Sequence, residues 1–277
     1  MRVDAHHHLW DLSVRDQDWI DPVTMSAIRR DFGPADLAGA AAGFDRTVLV
    51  QTVVAAGETP ELLVVASETA RIGAVVGWVD LTAPSVVDDL ARLKSGPGGE
   101  WLRGIRHQVQ GEADPRWLCR DDVQRGLRAV FDAGLLYELL VLPHQLAASI
   151  EAVAAFQDFP FVLDHCAKPP IARGLLQPWA SAIRELAGFE NATCKLSGLV
   201  TEADWAQWTV DDLRPYAGVV LDAFGPSRLM FGSDWPVCLL AGSYGQVVAA
   251  AEDLTAGLGE AERDQVFGRT AQRVYGL

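Results

Sequence analysis

Short runs of apolar, largely β-branched residues alternate along the whole chain with longer stretches in which apolar positions recur every three to four residues. The runs predict strands at Val3–His8, Thr47–Gln51, Ala74–Val79, Gly104–Gln108, Leu136–Val141, Phe161–His165, Thr193–Ser197 and Leu229–Asp234. The stretches between them predict helices over about 58–71, 84–94, 121–133, 144–157, 176–187, 203–224 and 244–270. Start and stop signals agree with this reading: Pro60 and Pro84 stand near first turns, and Gly134 and Gly188 stand just past ends. The nearest thing to a linker, Ser95-Gly96-Pro97-Gly98-Gly99, has the length of an ordinary loop.

Eight strands alternating with helices in 277 residues match the count and size of an α/β fold, the (β/α)₈ TIM barrel, typically about 250 residues. The expectation is one domain over 1–277. A doubly wound open sheet shares the alternation. Its G-x-G-x-x-G turn after the first strand is missing, and His-rich sequence stands there instead. The segment 10–33, rich in Trp, Asp and Pro, is too long for a simple strand-to-helix connection and is expected to fold over the active-site face.

Composition narrows the partners. The chain is 49% apolar and 22% charged, as folded proteins are. Its 23 basic and 37 acidic residues give a net charge of −14, which disfavours nucleic acid and anionic membranes. No apolar run approaches the ~20 residues of a membrane span, and with a strand predicted from Val3 no signal peptide is expected. Cys119, Cys166, Cys194 and Cys238 form no C-x-x-C pair. Reduced thiols and a cytoplasmic protein are expected.

The six histidines carry the most information. His6, His7 and His8 end the first strand, His107 the fourth and His165 the sixth, while His144 follows the fifth. In a barrel these C-terminal strand ends surround one site. Strand alternation puts Asp4, His6 and His8 on one face and His7 on the other, so two imidazoles can chelate a divalent metal or grip a substrate oxygen. Asp234 ends an apolar strand, where an ionised carboxylate needs a metal, an imidazolium or an activated water beside it. On the sixth strand Asp164 and His165 are expected to face opposite ways, and Lys195 on the seventh reads as an ion-pair partner or a chemical group. No G-x-S-x-G, H-E-x-x-H or phosphate-binding glycine loop is present, and Cys166 beside His165 points away from it. Water activation is the chemistry left.

Six landmarks in order resemble the amidohydrolase superfamily, in particular its branch of TIM-barrel sugar lactonases. They are Asp4-Ala5-His6-His7-His8-Leu9-Trp10, Arg103-Gly104-Ile105-Arg106-His107, Leu142-Pro143-His144-Gln145-Leu146, Leu163-Asp164-His165-Cys166-Ala167-Lys168-Pro169, Lys195-Leu196-Ser197-Gly198 and Phe231-Gly232-Ser233-Asp234-Trp235-Pro236. The resemblance implies a metal or substrate cluster of His6, His8, His165 and Asp234, with one divalent ion, zinc foremost, or a metal-independent site. No lysine stands where the family's bridging carboxylated lysine would.

The expected reaction is lactone hydrolysis, with Asp234 as general base on water and His6, His8 and His165 polarising the carbonyl, His165 being the second catalytic residue. Trp10, Gln51, Arg106, His107, His144 and Trp235 are the expected substrate contacts. A carboxylated lactone would call for several convergent arginines, which favours a neutral sugar lactone of the fuconolactone or rhamnonolactone kind. The rival readings are a metal-dependent non-oxidative decarboxylase of an aromatic or unsaturated carboxylic acid, a lactonase acting on a carboxylated lactone of the muconolactone or pyrone type, and a ligand-binding barrel without catalysis. A small lactone is the expected partner, and self-association into a homo-oligomer stays open.

Overall fold

The computed structural model describes residues 1–277. Its strands are β1 (Val3–His7), β2 (Arg46–Val50), β3 (Ile72–Gly77), β4 (Leu102–His107), β5 (Leu136–Leu139), β6 (Phe161–Leu163), β7 (Ala192–Leu196) and β8 (Leu229–Phe231). They pair in parallel in chain order. The ring closes where His7 bridges Trp235, the His8 N–H donating to the Trp235 carbonyl at 2.7 Å and the Asp234 N–H to the His6 carbonyl at 2.9 Å. One helix follows each strand in turn: α1 (Pro34–Ala40), α2 (Glu58–Glu68), α3 (Val86–Ser95), α4 (Asp121–Asp132), α5 (Leu146–Ala155), α6 (Trp179–Ala187), α7 (Val210–Phe224) and α8 (Tyr244–Leu254). This is the (β/α)₈ barrel that the alternation predicts. No helix is long and apolar enough to cross a membrane.

Three departures have local causes. Helix α1 is short and has no counterpart among the predicted helices; Pro34 opens it, and Asp36 accepts the Gly33 N–H at 3.0 Å. Helix α7 starts at Val210 rather than near 203, because Thr209 caps it, giving both its N–H and its hydroxyl to Asp212. The expected closing helix is broken at 255–259, and the chain resumes as α9 (Glu260–Asp264), a wide turn over Gln265–Arg269 and α10 (Thr270–Tyr275).

Alternation decides what fills the barrel. Val48, Val50, Ala74, Val76, Leu136 and Val162 point inward and meet Ala271 and Tyr275 of α10. Because Arg103 Nε donates to the Tyr275 carbonyl at 3.0 Å beside the start of β4, α10 closes the N-terminal end of the barrel. The outward positions pack under the helical ring in a larger apolar core.

The next inward layer, toward the C-terminal ends, is charged. It holds Arg106, Glu138, Asp164 and Lys195, each at most 2% exposed. Lys195 Nζ lies 2.6 Å from Glu138, 3.1 Å from Asp164 and 3.0 Å from His6 Nδ1; Arg106 reaches Asp164 at 2.9 Å, and the Tyr275 hydroxyl donates to Glu138. Two cations face two carboxylates, so each desolvated charge has its counter-charge. Burial, then the Asp164 charge, pushes Glu138 up to about 7 against the pull of Lys195 and Arg106. Burial also works to raise Asp164, but Lys195, His6 and Arg106 outweigh it and hold it well below the usual carboxylate range.

Lys195 is therefore an ion-pair partner inside the barrel. Replacing it by Met should cost about 3–5 kcal/mol, since Glu138 and Asp164 would stay buried without the ammonium. Glu138→Gln, which leaves Lys195 with Asp164, should cost less. Urea denaturation of both variants tests this order.

Candidate active site

Irregular backbone sets the site. In β1 the register slips between Asp4 and His7. Asp4 does not share a face with His6 and His8, as strict alternation predicts. Its carboxylate turns toward α8 and accepts from the His6 N–H (3.1 Å), the Ser233 N–H (2.8 Å) and hydroxyl (2.6 Å) and the Tyr244 hydroxyl (3.0 Å). The carboxylate thereby satisfies a backbone donor that the slipped ladder leaves over. Val3 and Ala5 then point inward, and so do His6 and His8. His7, on the opposite side of the strand, is wholly buried with neither ring nitrogen partnered, and burial followed by the His8 charge lowers it to about 3.

At the end of β6, four consecutive non-glycine residues, His165 to Lys168, adopt left-handed backbone, and the Lys168 N–H closes the turn on the His165 carbonyl at 2.8 Å. Such residues cost roughly 1–2 kcal/mol each and persist only when the surroundings hold them. The turn overrides alternation: Asp164 and His165 do not diverge, and both contact His6, Asp164 at 3.5 Å from Nδ1 and the His165 ring at 4.4 Å between centroids. Cys166 faces away, its sulfur 3.9 Å from that of Cys194, and both are free thiols. Asp234 also has positive φ, at 55°.

Four side chains converge as a result. Asp234 Oδ1 lies 3.4 Å from His8 Nε2 and 3.8 Å from the Nε2 atoms of His6 and His165, and His6 and His8 Nε2 are 3.2 Å apart. His8 Nδ1 donates to the Val50 carbonyl at 2.7 Å, so in the neutral ring Nε2 is a lone pair. His165 Nδ1 meets the Ser197 hydroxyl at 2.9 Å, which turns Nε2 toward Asp234. Burial, followed by Lys195, holds His6 well below its ordinary value, and burial takes His165 down to about 4. Burial works to raise Asp234, but His165 and His8 outweigh it and the carboxylate stays ionised below its usual range.

Neutral imidazoles and a carboxylate are metal donors. Metal–nitrogen bonds of about 2.0–2.1 Å imply tetrahedral edges of about 3.4 Å. The donor atoms of His6, His165 and Asp234 all lie within 4.8 Å of one another, and His8 joins them through His6 and Asp234. The residues present fit one divalent ion. A second group, His6, Glu138 and Asp164, has comparable spacing, but the Lys195 ammonium already stands among its atoms.

The quartet opens into a cavity of about 200 Å³, lined by His8, Arg106, His165 and Asp234 and walled by Trp19, Gln108, Gln110, Lys168, Glu202 and Trp205, among others. It is small beside the roughly 300–1,000 Å³ of drug-sized sites. Larger grooves of about 570 and 360 Å³ lie elsewhere, and neither contains the quartet.

Several expected substrate contacts are placed outside the cavity wall. His144 is exposed on a turn after β5. His107, one residue past inward-facing Arg106, points outward, stacking on Trp117 at 4.2 Å and meeting Glu112 at 2.8 Å. Trp10 donates to the Arg30 carbonyl and packs on Trp19 and Phe32, while Trp235 packs on Phe32. Gln51 is buried, donating to the Arg106 carbonyl at 3.1 Å. The segment 10–33 nonetheless brings Trp19 and Met25 to the cavity. Gln110 and Glu202 lie in loops that the strand pattern does not single out, whereas Gln108 ends the predicted fourth strand and Lys168 belongs to the Leu163–Pro169 motif.

The family model for amidohydrolases matches residues 3–277. The chain belongs to the amidohydrolase family. Amidohydrolases are typically metal-dependent. The chain is 42% identical to an L-fucono-1,5-lactonase of Burkholderia multivorans, over 100% of this chain and 96% of that protein. It is 41% identical to an L-fucono-1,5-lactonase of Burkholderia ambifaria, over 99% and 95%. A crystal structure of a B. multivorans amidohydrolase with bound zinc superposes at a TM-score of 0.94 and 39% identity, over 100% of this chain and 99% of that one. Another, with bound HEPES, gives 0.92 and 40%.

Gly198 supports the quartet from behind. At φ +67°, a Cβ there would stand 2.7–2.8 Å from the His165 ring and Cβ. Gly198→Ala should displace the imidazole and lower kcat by about 100-fold, the penalty of ångström-scale misplacement. The circular-dichroism spectrum should remain native. Wild-type kcat in the variant would show that the ring position is not critical.

Proposed function

We propose that this amidohydrolase opens a neutral sugar 1,5-lactone by water attack on the ester carbonyl, with Asp234 as general base and the cytoplasm as its place of action. The observation that carries the reading is an ionised carboxylate held 3.4–3.8 Å from the Nε2 atoms of three imidazoles at the floor of a small cavity. Its full-length likeness to two L-fucono-1,5-lactonases supports the lactone, and a 6-deoxyhexono-1,5-lactone of the fucono or rhamnono type is the substrate we infer.

Asp234 takes a proton from water as the water oxygen bonds to the carbonyl carbon. Collapse of the tetrahedral adduct breaks the bond to the ring oxygen, and the proton passes from Asp234 to that oxygen, leaving a hydroxy acid. His165, oriented by Ser197, and His6 and His8 face the developing oxyanion. A divalent ion held by His6, His8, His165 and Asp234, for which zinc is the fitting choice, would supply Lewis acidity at the carbonyl oxygen. Without an ion, an N–H of His6 or His165 would polarise that oxygen, the neutral His8 ring presenting only a lone pair there.

The cavity's charge supports a neutral substrate. Arg106 is the arginine at its wall, and it is committed to Asp164 and the Gln51 carbonyl. Arg103 is committed to the Tyr275 and Glu100 carbonyls. No set of arginines is left free to converge on a dicarboxylated ring.

The untagged protein, assayed for bound metal and for acid release from a panel of aldonolactones, tests the reading. Hydrolysis is expected, with Asp234→Asn reduced at least about 100-fold. Loss on chelation and recovery with Zn²⁺ would make the histidines ligands; survival would leave His6 and His165 as the donors. No acid release from any lactone with metal present would sink the lactonase reading in favour of decarboxylation. Because burial takes His165 down to about 4 and the Asp234 carboxyl is held below its ordinary value, His165 should stay neutral and the base ionised down to about pH 5, with kcat/KM lost as the pH falls through about 4.

A further inference from the structure

The wall of the cavity divides by strand. Loops after β1, β7 and β8 bring the apolar surfaces of Trp19, Trp205 and Leu240, whereas loops after β4 and β6 bring Gln108, Gln110 and Lys168. Glu202, from the β7 side, faces Lys168 at 3.5 Å. Both side chains are about a quarter exposed, at 24% each. An ammonium has three donors and a carboxylate about four acceptor sites. One long contact between them leaves most of that capacity turned to the cavity. Gln110 adds a buried side-chain oxygen with no partner.

Resting on the lactonase reading, we propose that Lys168 and Glu202 are specificity-determining residues that grip adjacent hydroxyls of the sugar ring. One hydroxyl accepts from Lys168 Nζ and a hydroxyl donates to Glu202, while the apolar loops cover the ring's C–H surface. The pairing selects against charge. An anionic ligand meets the Glu202 carboxylate, a cationic one meets the Lys168 ammonium, and a polyol, donor and acceptor at every hydroxyl, satisfies both. Position is fixed by the backbone. Lys168 ends the left-handed turn that begins at His165, with its N–H bonded to the His165 carbonyl at 2.8 Å. The residue that reads the hydroxyls is thereby registered against one that faces the carbonyl.

The test compares a polyhydroxylated 1,5-lactone with unsubstituted δ-valerolactone in the wild type, Lys168→Met, Lys168→Arg and Glu202→Gln. A hydrogen bond to a charged group changes affinity by roughly 10- to 100-fold. The ratio of kcat/KM for the hydroxylated over the unsubstituted lactone should fall at least about tenfold in Lys168→Met and Glu202→Gln, chiefly through KM, with partial recovery in Lys168→Arg. Equal losses on both lactones, or none, would overturn the assignment. If the wild type hydrolyses neither lactone, the lactonase reading fails on its own. Calorimetry with a methyl 6-deoxyhexopyranoside then decides the hydroxyl assignment: tenfold weaker binding in the variants supports it, and unchanged or absent binding overturns it.

Discussion

The Lys195 ammonium is the contact on which the rest of the site depends. It stands within 3.1 Å of Glu138, Asp164 and His6, fully buried, and its partners come from β5, β1 and the end of β6. An ammonium without partners in that dry interior would be untenable, and so would either carboxylate. Their mutual neutralisation lets a barrel of short, apolar strands end in a charged layer. It also fixes His6 from behind, with the ring's other nitrogen toward His8 and Asp234. The same ammonium occupies the space between His6, Glu138 and Asp164 that a second metal would need, which leaves the cavity-facing quartet as the place for one ion.

Regular strands build the floor of this site, and departures from regularity build its working parts. Alternation alone turns every second residue inward, so it cannot present both members of an adjacent pair such as Asp164 and His165 to the same ring. The register slip in β1, the left-handed turn from His165 to Lys168 and the positive φ of Asp234 each re-aim one functional side chain. Strain of that kind concentrates where function requires it, and here the packed layer beneath holds it in place.

That division explains what the amino-acid sequence reveals. All eight strands are legible, because a strand between two packed layers is a β-branched apolar run bounded by turns. The convergence of His6, His8, His165 and Asp234 follows from their places at strand ends. The slip in β1 is not legible, since it depends on Asp4 finding Ser233 and Tyr244 far along the chain. Nor is the left-handed turn, whose four residues include no glycine or asparagine to announce it. Regular alternation does not bring both Arg106 and His107 to the substrate, because neighbours on a regular strand face opposite ways. Trp10 and Trp235 show the same limit, for sequence proximity to a motif does not say which side of the loop an indole packs on.

The acidity of the chain bears on turnover under the proposed reaction. A neutral lactone approaches a protein of net charge −14 without electrostatic penalty, whereas hydrolysis turns it into an anion inside the cavity. Arg106 is already satisfied by Asp164, and Lys168 is opposed by Glu202. Neither is a free cation poised to retain the new carboxylate, and ionised Asp234 repels it. On the proposed reading, the charge arrangement that disfavours dicarboxylated substrates also favours product departure. Both consequences come from one feature: every cation at the cavity wall has an internal carboxylate as its partner.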